Sequence, residues 1–260
     1  MRKTLKNIPA ERVRALSSGL IETGHLLEWL SVDMQVLLEV VRHQLDIREE
    51  VPPIISGNQF NELGVTRRLK AIGSYLRSAG CLVGRKRFER LAQHGSDVVR
   101  QWAAYILMAS PEITLADRLQ STHRFAGDSN MSVREVAWMT FRPYLADNLD
   151  EGLRLLEPMA CHSNAYLRRF AIEVSRPRSV WGQHLPSLKR NPEPGRPLLE
   201  EVRGDSTKYV QDAVGNWLND ASKTAPLWVI SVTDEWLDRD PSPETRRIVR
   251  RGRRTLGRES

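Results

Sequence analysis

The chain lacks most of the features that identify common classes of protein. It has only two cysteines in 260 residues, Cys81 and Cys161, which is too few for a disulfide framework and favours a reducing, cytoplasmic environment. No apolar run approaches the roughly 18 residues that a membrane-spanning helix needs. The N-terminus has no hydrophobic signal-peptide core before its first charges. The sequence therefore predicts a cytoplasmic protein without a membrane partner.

Sequence motifs of several large enzyme classes are also absent. No GxxxxGK[ST], GxGxxG or GxSxG sequence occurs, which argues against P-loop, dinucleotide-binding and serine-hydrolase chemistry. The six histidines are scattered, and the adjacent Cys161 and His162 have no further ligands at metal spacing. We therefore expect no metal and no cofactor.

The charge balance is the first positive signal. Thirty-nine lysines and arginines against 32 acidic residues give a formal net charge of +7, with a sequence pI near 9.7. A basic excess favours a polyanionic partner such as nucleic acid, although basic proteins without such a partner are common.

The spacing of apolar residues predicts an all-α protein built from repeats. Strand signals are scarce, and similar helix-forming segments recur at separations of 34, 34, 43 and 35 residues. Their first apolar positions are Val99, Val133, Leu167, Val210 and Thr245. Such a period indicates a helical solenoid, in which stacked helix pairs share one core, with an irregular helical bundle as the alternative. We expect an N-terminal helical cap over residues 1–55 and one continuous repeat domain over 56–260.

The residue after each first apolar position is usually arginine. These residues are Arg100, Arg134, Arg168 and Arg246, with Gln211 as the exception. Equivalent positions on stacked helices line up, so the sequence predicts a ladder of arginines along one face that binds phosphates. The alternative is a set of solvated arginines near helix starts. The C-terminal arginines, which include Arg247 and Arg250, could likewise form a phosphate clamp or a solubilising tail.

Three of these helices carry polar or aromatic residues beside the stripe that is expected to pack inward. On the helix from Leu167, Glu173 lies between Arg169 and Arg176, which predicts an ionised carboxylate or simply an intrahelical row of salt bridges. On the helix from Val133, Trp138 is expected to be partly exposed, where an indole contacts a base or sugar or packs under a loop.

The helix from Val210 carries a polar ridge at helical spacing. Its members are Asp212, Asn216, Asn219 and Asp220. Because Asn and Asp are poor helix formers, four of them on one face are unusual, although the last two could simply end the helix. An acidic ridge in a basic groove is a suitable place for chemistry on a cationic substrate.

Two long segments carry a family resemblance. "RRFAIEVSRPRSVW" resembles RRLASEGTRPRLPW of the AlkC branch of the DNA alkylation repair family, and "YVQDAVGNWLND" resembles that branch's YVRRSVANHLNDI. The resemblance is convincing over about residues 130–256 and looser in the N-terminal third. It implies a curved solenoid of HEAT-like repeats, whose arginine-bearing concave face binds duplex DNA. It also implies a DNA glycosylase that excises cationic alkylated bases such as 3-methyladenine and 7-methylguanine. We expect the protein to be a monomer.

The resemblance also assigns roles to individual residues. The predicted catalytic residues are Asp220 as the carboxylate, Glu173 as an orienting group and Trp181 as the indole that holds the base. By the resemblance, Arg176 and Arg178 are phosphate contacts. The further predicted DNA contacts are Trp138, Arg142, Arg168, Asn216, Arg247 and Arg250.

One departure from the family pattern keeps other functions open. Where the family reads SEFAIRPF, this chain reads "AWMTFRPY", so the family's active-site glutamate falls on Trp138, with Glu135 one turn earlier. A non-catalytic HEAT-repeat protein that binds damaged or distorted DNA is therefore the main alternative, and a protein-binding solenoid is a third.

Overall fold

All regular structure that the described residues contain is helical. The computed structural model of the protein describes residues 8–111, 113–180 and 182–256. Sixteen α-helices and no strand occur in these ranges, together with the 3-10 turns Asn58–Glu62 and Glu193–Gly195. The predicted all-α fold class is confirmed. In the same ranges, no helix is both long and apolar enough to cross a membrane.

The helices group into two compact units. The first takes residues up to 114 together with 128–140, and the second takes 115–127 and residues from 141 onwards. The unit boundary thus falls within one long helix, Met131–Asp147. The predicted division at residue 55 lies inside the first unit and stays a prediction.

The first unit contains seven complete helices. They are α1 (Ala10–Ser17), α2 (Leu26–Ser31), α3 (Met34–Gln44), α4 (Pro53–Ser56), α5 (Val65–Ser78), α6 (Lys86–Ala92) and α7 (Asp97–Met108). Helix α7 packs against α5 and α6, and Leu69, Ile72 and Trp102 are fully buried there. The unit also holds the first part of α9 (Met131–Asp147).

The second unit contains α8 (Leu115–Ala126) and all helices after α9. These are α10 (Leu149–Ala160), α11 (Ala165–Val174), α12 (Pro186–Arg190), α13 (Arg196–Glu201), α14 (Lys208–Ser222), α15 (Pro226–Arg239) and α16 (Pro243–Gly252). Helix α14 is central, because it packs against α11, α15 and α16. Its Trp217 is fully buried, as is Trp236 on α15.

A common turn precedes each of the five helices that share the repeated motif. In every copy one side chain accepts a hydrogen bond from the backbone N–H two residues later, at 2.8–3.2 Å. These side chains are His94, Asp128, His162, Asp205 and Asp240. They recur at separations of 34, 34, 43 and 35 residues, as the helices do, so the repeat extends into the turns.

The arginines of the predicted ladder donate hydrogen bonds within this turn. The Nη1 atoms of Arg100, Arg134 and Arg168 each donate to the carbonyl oxygen six residues earlier, at 2.6–2.8 Å. Arg246 donates to the carbonyl five residues earlier, and the amide of Gln211 reaches the one six residues earlier. The carbonyls of these turns have no partner within a helix, and the side chains supply them with hydrogen-bond donors. The ladder is therefore explained by turn closure, and the alternative of freely solvated arginines is wrong for the buried Arg100 and Arg134.

Arg168, one of the predicted DNA contacts, also has this role in the turn. Besides its turn carbonyls, its guanidinium donates through Nε and Nη2 to Asp205, at 2.6 and 3.2 Å. The side chains of Arg168 and Asp205 are 16% and 4% exposed. A guanidinium occupied inside the protein in this way does not favour the predicted phosphate contact.

Two glycines let α14 and α16 approach closely. A Cβ atom on Gly252 would lie 2.8 Å from the Cβ of Leu218, and one on Gly215 would lie 2.7–2.8 Å from the Arg251 side chain. Real Cβ atoms do not approach so closely, so any larger residue would push the helices apart. This close packing places the arginines of α16 beside the polar ridge of α14.

Candidate active site

The end of α11 is held in place by a buried arginine on α9. The guanidinium of Arg142 donates to the carbonyl oxygens of Val174, Arg176 and Gln183, at 2.6, 2.5 and 2.6 Å. Arg142 as a whole is 0% exposed to solvent. Burial lowers the pKa of Arg142 to about 10, and the nearby positive charge of Arg176 contributes to this shift. The contact of Arg142 with DNA stays a prediction, and this burial does not favour it, because the donors of Arg142 hold the backbone.

A tryptophan completes the support of this helix end. The indole N–H of Trp217 on α14 donates to the carbonyl oxygen of Ser175 at 3.0 Å. The last carbonyls of a helix have no partner within it, so these side-chain donors satisfy groups that would otherwise be left unpaired. Arg142 and Trp217 thus fix the backbone at the point where Arg176 and Pro177 leave α11.

Glu173, Arg176 and Asp220 come together from two helices. Arg176 donates through Nη1 to Oε1 of Glu173 at 2.5 Å, and through Nε and Nη2 to Oδ2 of Asp220 at 2.9 and 2.7 Å. The two carboxylate side chains are only 7% and 6% exposed. One guanidinium therefore bridges two buried carboxylates, a larger assembly than the intrahelical row that the sequence left open.

Arg176 keeps its positive charge in this cluster. Burial acts to lower the pKa of Arg176, but the charges and hydrogen bonds of Glu173 and Asp220 outweigh burial and leave the pKa raised. Arg176 thus stays protonated between its two partners.

Further cations surround the two carboxylates. Lys223 lies 3.2 Å from Oδ1 of Asp220, and Arg169 lies 3.6 Å from Oε2 of Glu173. The Nε of Arg178 donates to the backbone carbonyl of Asp220 at 3.3 Å. The cluster therefore carries more positive than negative charge, and such an excess favours an anionic partner.

Two tyrosines that lie beside the cluster are not among the site residues predicted from the sequence. The rings of Tyr166 on α11 and Tyr209 on α14 meet edge to face with centroids 5.9 Å apart. The guanidinium carbon of Arg169 lies 4.4 Å from the centroid of Tyr209. Tyr166 and Tyr209 are 43 residues apart, as are Leu167 and Val210, so the repeat register was the signal that could have paired them.

The polar ridge of α14 divides between two neighbours. Asp220 faces the end of α11, whereas the other three members contact the C-terminal segment. Arg247 donates to Asp212 at 2.7 Å, Arg251 and Arg254 both donate to Asn216 at 3.2 Å, and Thr255 donates to Asn219 at 2.8 Å. Only Asp220 of this ridge joins the predicted catalytic cluster.

The predicted DNA contacts near the C-terminus therefore differ in their surroundings. Arg247 also donates to Gln211 at 3.1 Å, so it links α16 to α14. The side-chain oxygen of Asn216 is occupied by arginine donors. Arg250 lies one helical turn beyond Arg247 and is exposed to solvent, which makes it the most accessible of the three for a phosphate.

A protein-family profile described as "DNA alkylation repair enzyme" matches residues 85–253. The chain belongs to this family. The uncharacterized protein YhaZ of Bacillus subtilis (strain 168) is 39% identical over 115 residues, which cover 44% of this chain and 32% of YhaZ. The match thus spans about a third of that curated relative.

Two solved structures share the fold of this DNA alkylation repair family member. One is the Pseudomonas fluorescens alkylpurine DNA glycosylase AlkC bound to DNA containing an abasic site analog. It is similar with a TM-score of 0.67 and 21% identity over 98% of this chain and 65% of that one. The other, AlkD2 from Streptococcus mutans, has a TM-score of 0.60 and 20% identity over 82% of this chain and 97% of that one. The predicted helical-repeat fold is confirmed.

In this member of the family, Trp138 does not behave as the sequence predicts. It is 3% exposed, and its indole N–H donates to Oε2 of Glu135 at 2.9 Å. The expectation of a partly exposed indole is therefore wrong, because the ring is buried and its donor is satisfied by Glu135. The contact of Trp138 with DNA stays a prediction. The remaining predicted catalytic residue, Trp181, lies outside the described residues.

Proposed function

We propose that this member of the DNA alkylation repair family is a glycosylase that excises cationic N-alkylated bases, of the 3-methyladenine or 7-methylguanine type, from duplex DNA. The observation that carries the proposal is the convergence of Glu173 and Asp220 on Arg176 at a buried helix end. Family membership and the similarity to AlkC support the substrate class.

The reaction needs a carboxylate that stabilises positive charge rather than a general acid that donates a proton. An N-alkylated purine is already cationic, so it leaves without a proton from the enzyme. The sugar left behind develops oxocarbenium character, which a preorganised carboxylate stabilises while it also positions the attacking water. We assign this role to Asp220, with Glu173 as the positioning residue that fixes Arg176 against it. By resemblance, the indole of Trp181 would hold the cationic base through its π-face.

The decisive experiment is base release from methylated duplex DNA. Wild-type protein is expected to release 3-methyladenine or 7-methylguanine, and Asp220→Asn, which keeps the shape but removes the charge, is expected to lose at least about 100-fold in rate. Asp212→Asn is the matched control, because Asp212 lies on the same helix and also pairs with an arginine, but on α16. Release by wild type at the level of background would rule the proposal out.

The burial of Trp138 at the position of the family's glutamate favours a second candidate, a non-catalytic protein that binds damaged or distorted DNA. This candidate predicts salt-dependent DNA binding that Asp220→Asn leaves unchanged, without release of bases.

A further inference from the structure

The two side-chain oxygens of Asp220 have different partners. Oδ2 accepts two hydrogen bonds from Arg176, through Nε at 2.9 Å and through Nη2 at 2.7 Å. Oδ1 accepts a hydrogen bond from Nζ of Lys223, at 3.2 Å, at the point where α14 ends. Arg178 donates to the backbone carbonyl of Asp220 instead of the carboxylate. Arg176 therefore covers one oxygen of the carboxylate, and Lys223 covers the other.

These two cations are not held equally firmly. The side chain of Arg176 is 17% exposed and also donates to Glu173, so it is fixed by two carboxylates. The side chain of Lys223 is 39% exposed and contacts Asp220 through one hydrogen bond. A lysine ammonium is a strongly hydrated point charge on a flexible stem, whereas a guanidinium is a rigid fork. Lys223 is therefore the partner that can leave, and Oδ1 is the oxygen that can be uncovered.

A lysine three residues after an aspartate at a helix end also has an ordinary structural explanation. Its charge interacts favourably with the C-terminal end of the helix and with the neighbouring carboxylate. This explanation does not account for the reaction proposed for Asp220. A positive charge at Oδ1 would oppose the positive charge that develops on the sugar, and this repulsion is strong where little water is present. Lys223 therefore has to leave Oδ1 before the carboxylate can act.

We propose that Lys223 is a positioning residue that covers Oδ1 of Asp220 in the free protein and moves to a phosphate when DNA binds, which uncovers this oxygen for the sugar. The inference rests on the proposed function, because it names the cation that has to leave the catalytic carboxylate before the reaction. A lysine binds a phosphate as a point charge, and its flexible stem lets it turn from one anion to another nearby. The charge of Lys223 is thus balanced in both states.

This exchange links the binding of DNA to the ion pair of Lys223 and Asp220. In the wild type, DNA has to break the pair, whereas in Asp220→Asn the lysine is released in advance. Asp220→Asn is therefore expected to tighten binding of an undamaged duplex by about three-fold, which is the strength of a partly exposed ion pair. The gain should disappear when Lys223→Gln is added. A lysine that only supports the fold would leave the two effects additive.

The test combines fluorescence anisotropy of a labelled undamaged duplex over a salt series with single-turnover base release from methylated duplex at saturating protein. Lys223→Gln is expected to weaken duplex binding by about five-fold and to reduce the slope of log K against log salt concentration by about 0.9. Its single-turnover rate should stay within about two-fold of wild type, because the lysine has already left Asp220 in the complex. Lys223→Arg, which keeps the charge, should restore the slope. Lys208→Gln, which replaces an exposed lysine at the other end of α14, is the matched control and should change neither quantity.

Three results would overturn this role of Lys223. They are additive effects of Lys223→Gln and Asp220→Asn on duplex binding, an unchanged salt slope in Lys223→Gln, and a loss of about ten-fold or more in its single-turnover rate. Base release separates this failure from that of the proposed function. Release by wild type with additive binding effects refutes the role of Lys223 alone, and coupled binding effects without release refute the glycosylase alone.

Discussion

At the scale of single residues, the arrangement around Arg176 links stability to the proposed chemistry. Its guanidinium is shared by two carboxylates that belong to different helices, so it joins α11 to α14. Neither carboxylate is accessible enough for water to replace the guanidinium if it is removed, because their side chains are only 7% and 6% exposed. The residue that brings the proposed catalytic carboxylates together is therefore also needed to keep them in the interior.

Replacing Arg176 by alanine is expected to lower the free energy of unfolding by about 3–5 kcal/mol, because two buried carboxylates lose their shared partner. Arg176→Lys should fall between alanine and wild type, since an ammonium keeps the charge but cannot form the same fork of hydrogen bonds. Urea denaturation measures both. Arg178→Ala serves as control, because its 3.3 Å bond to a carbonyl predicts a loss of about 1 kcal/mol. Equal losses for the two alanine variants would contradict this account.

At the scale of secondary-structure elements, the repeat could be predicted from the sequence, but the hydrogen-bonding role of its arginines could not. The separations of 34, 34, 43 and 35 residues located the five helices, and the structure has helices at each of them. The chemistry of Arg100 and Arg134 suits a phosphate as well as a turn carbonyl, because both are hydrogen-bond acceptors. Only the positions of the turns decide between them. Gln211 stands at the one repeat position without an arginine, and its uncharged amide makes the same bond to a carbonyl.

The pair formed by Arg168 and Asp205 is expected to stabilise the turn before α14 and its link to α11. A double-mutant cycle with alanine at both positions should give a coupling energy of about 1.5–3 kcal/mol, because the hydrogen bonds are charge-assisted and the carboxylate is buried. The pair of Arg48 and Asp46 is the control. Its side chains are 88% and 78% exposed, so its coupling should be about 0–1 kcal/mol. Similar couplings for both pairs would show that Arg168 has no special part in closing the turn.

The contact between α14 and α16 makes a separate prediction. Gly252→Ala should destabilise the protein by about 1–3 kcal/mol, although alanine favours a helix, because its Cβ would lie 2.8 Å from the Cβ of Leu218. Gly64→Ala is the matched control, since a Cβ at Gly64 has no heavy atom within 4 Å. Thermal unfolding of the two variants measures the difference. A stabilised Gly252→Ala would mean that the helices can separate at little cost.

At the scale of the whole molecule, the sequence identified the candidate carboxylates better than the cations around them. Glu173 and Asp220 were found because the resemblance fixes their positions along the chain, and the structure places both beside Arg176. The burial of Arg142 and of Trp138 could not be read in the same way. Whether an arginine or an indole faces solvent depends on the packing of helices distant in sequence, and that packing leaves no periodic signal at a single position.

The proposed binding of DNA makes a prediction about its dependence on salt. Each phosphate that the protein neutralises contributes about 0.9 to the slope of log K against log salt concentration. Arg250 is exposed on α16, so Arg250→Gln should reduce the slope by about one such contact while the fold is kept. Arg48→Gln is the control, because Arg48 is also exposed but lies outside the family match of residues 85–253. Fluorescence anisotropy with a labelled duplex over a salt series measures both slopes. An unchanged slope in Arg250→Gln would show that this arginine of α16 does not contact a phosphate, although the chain carries a net charge of +7.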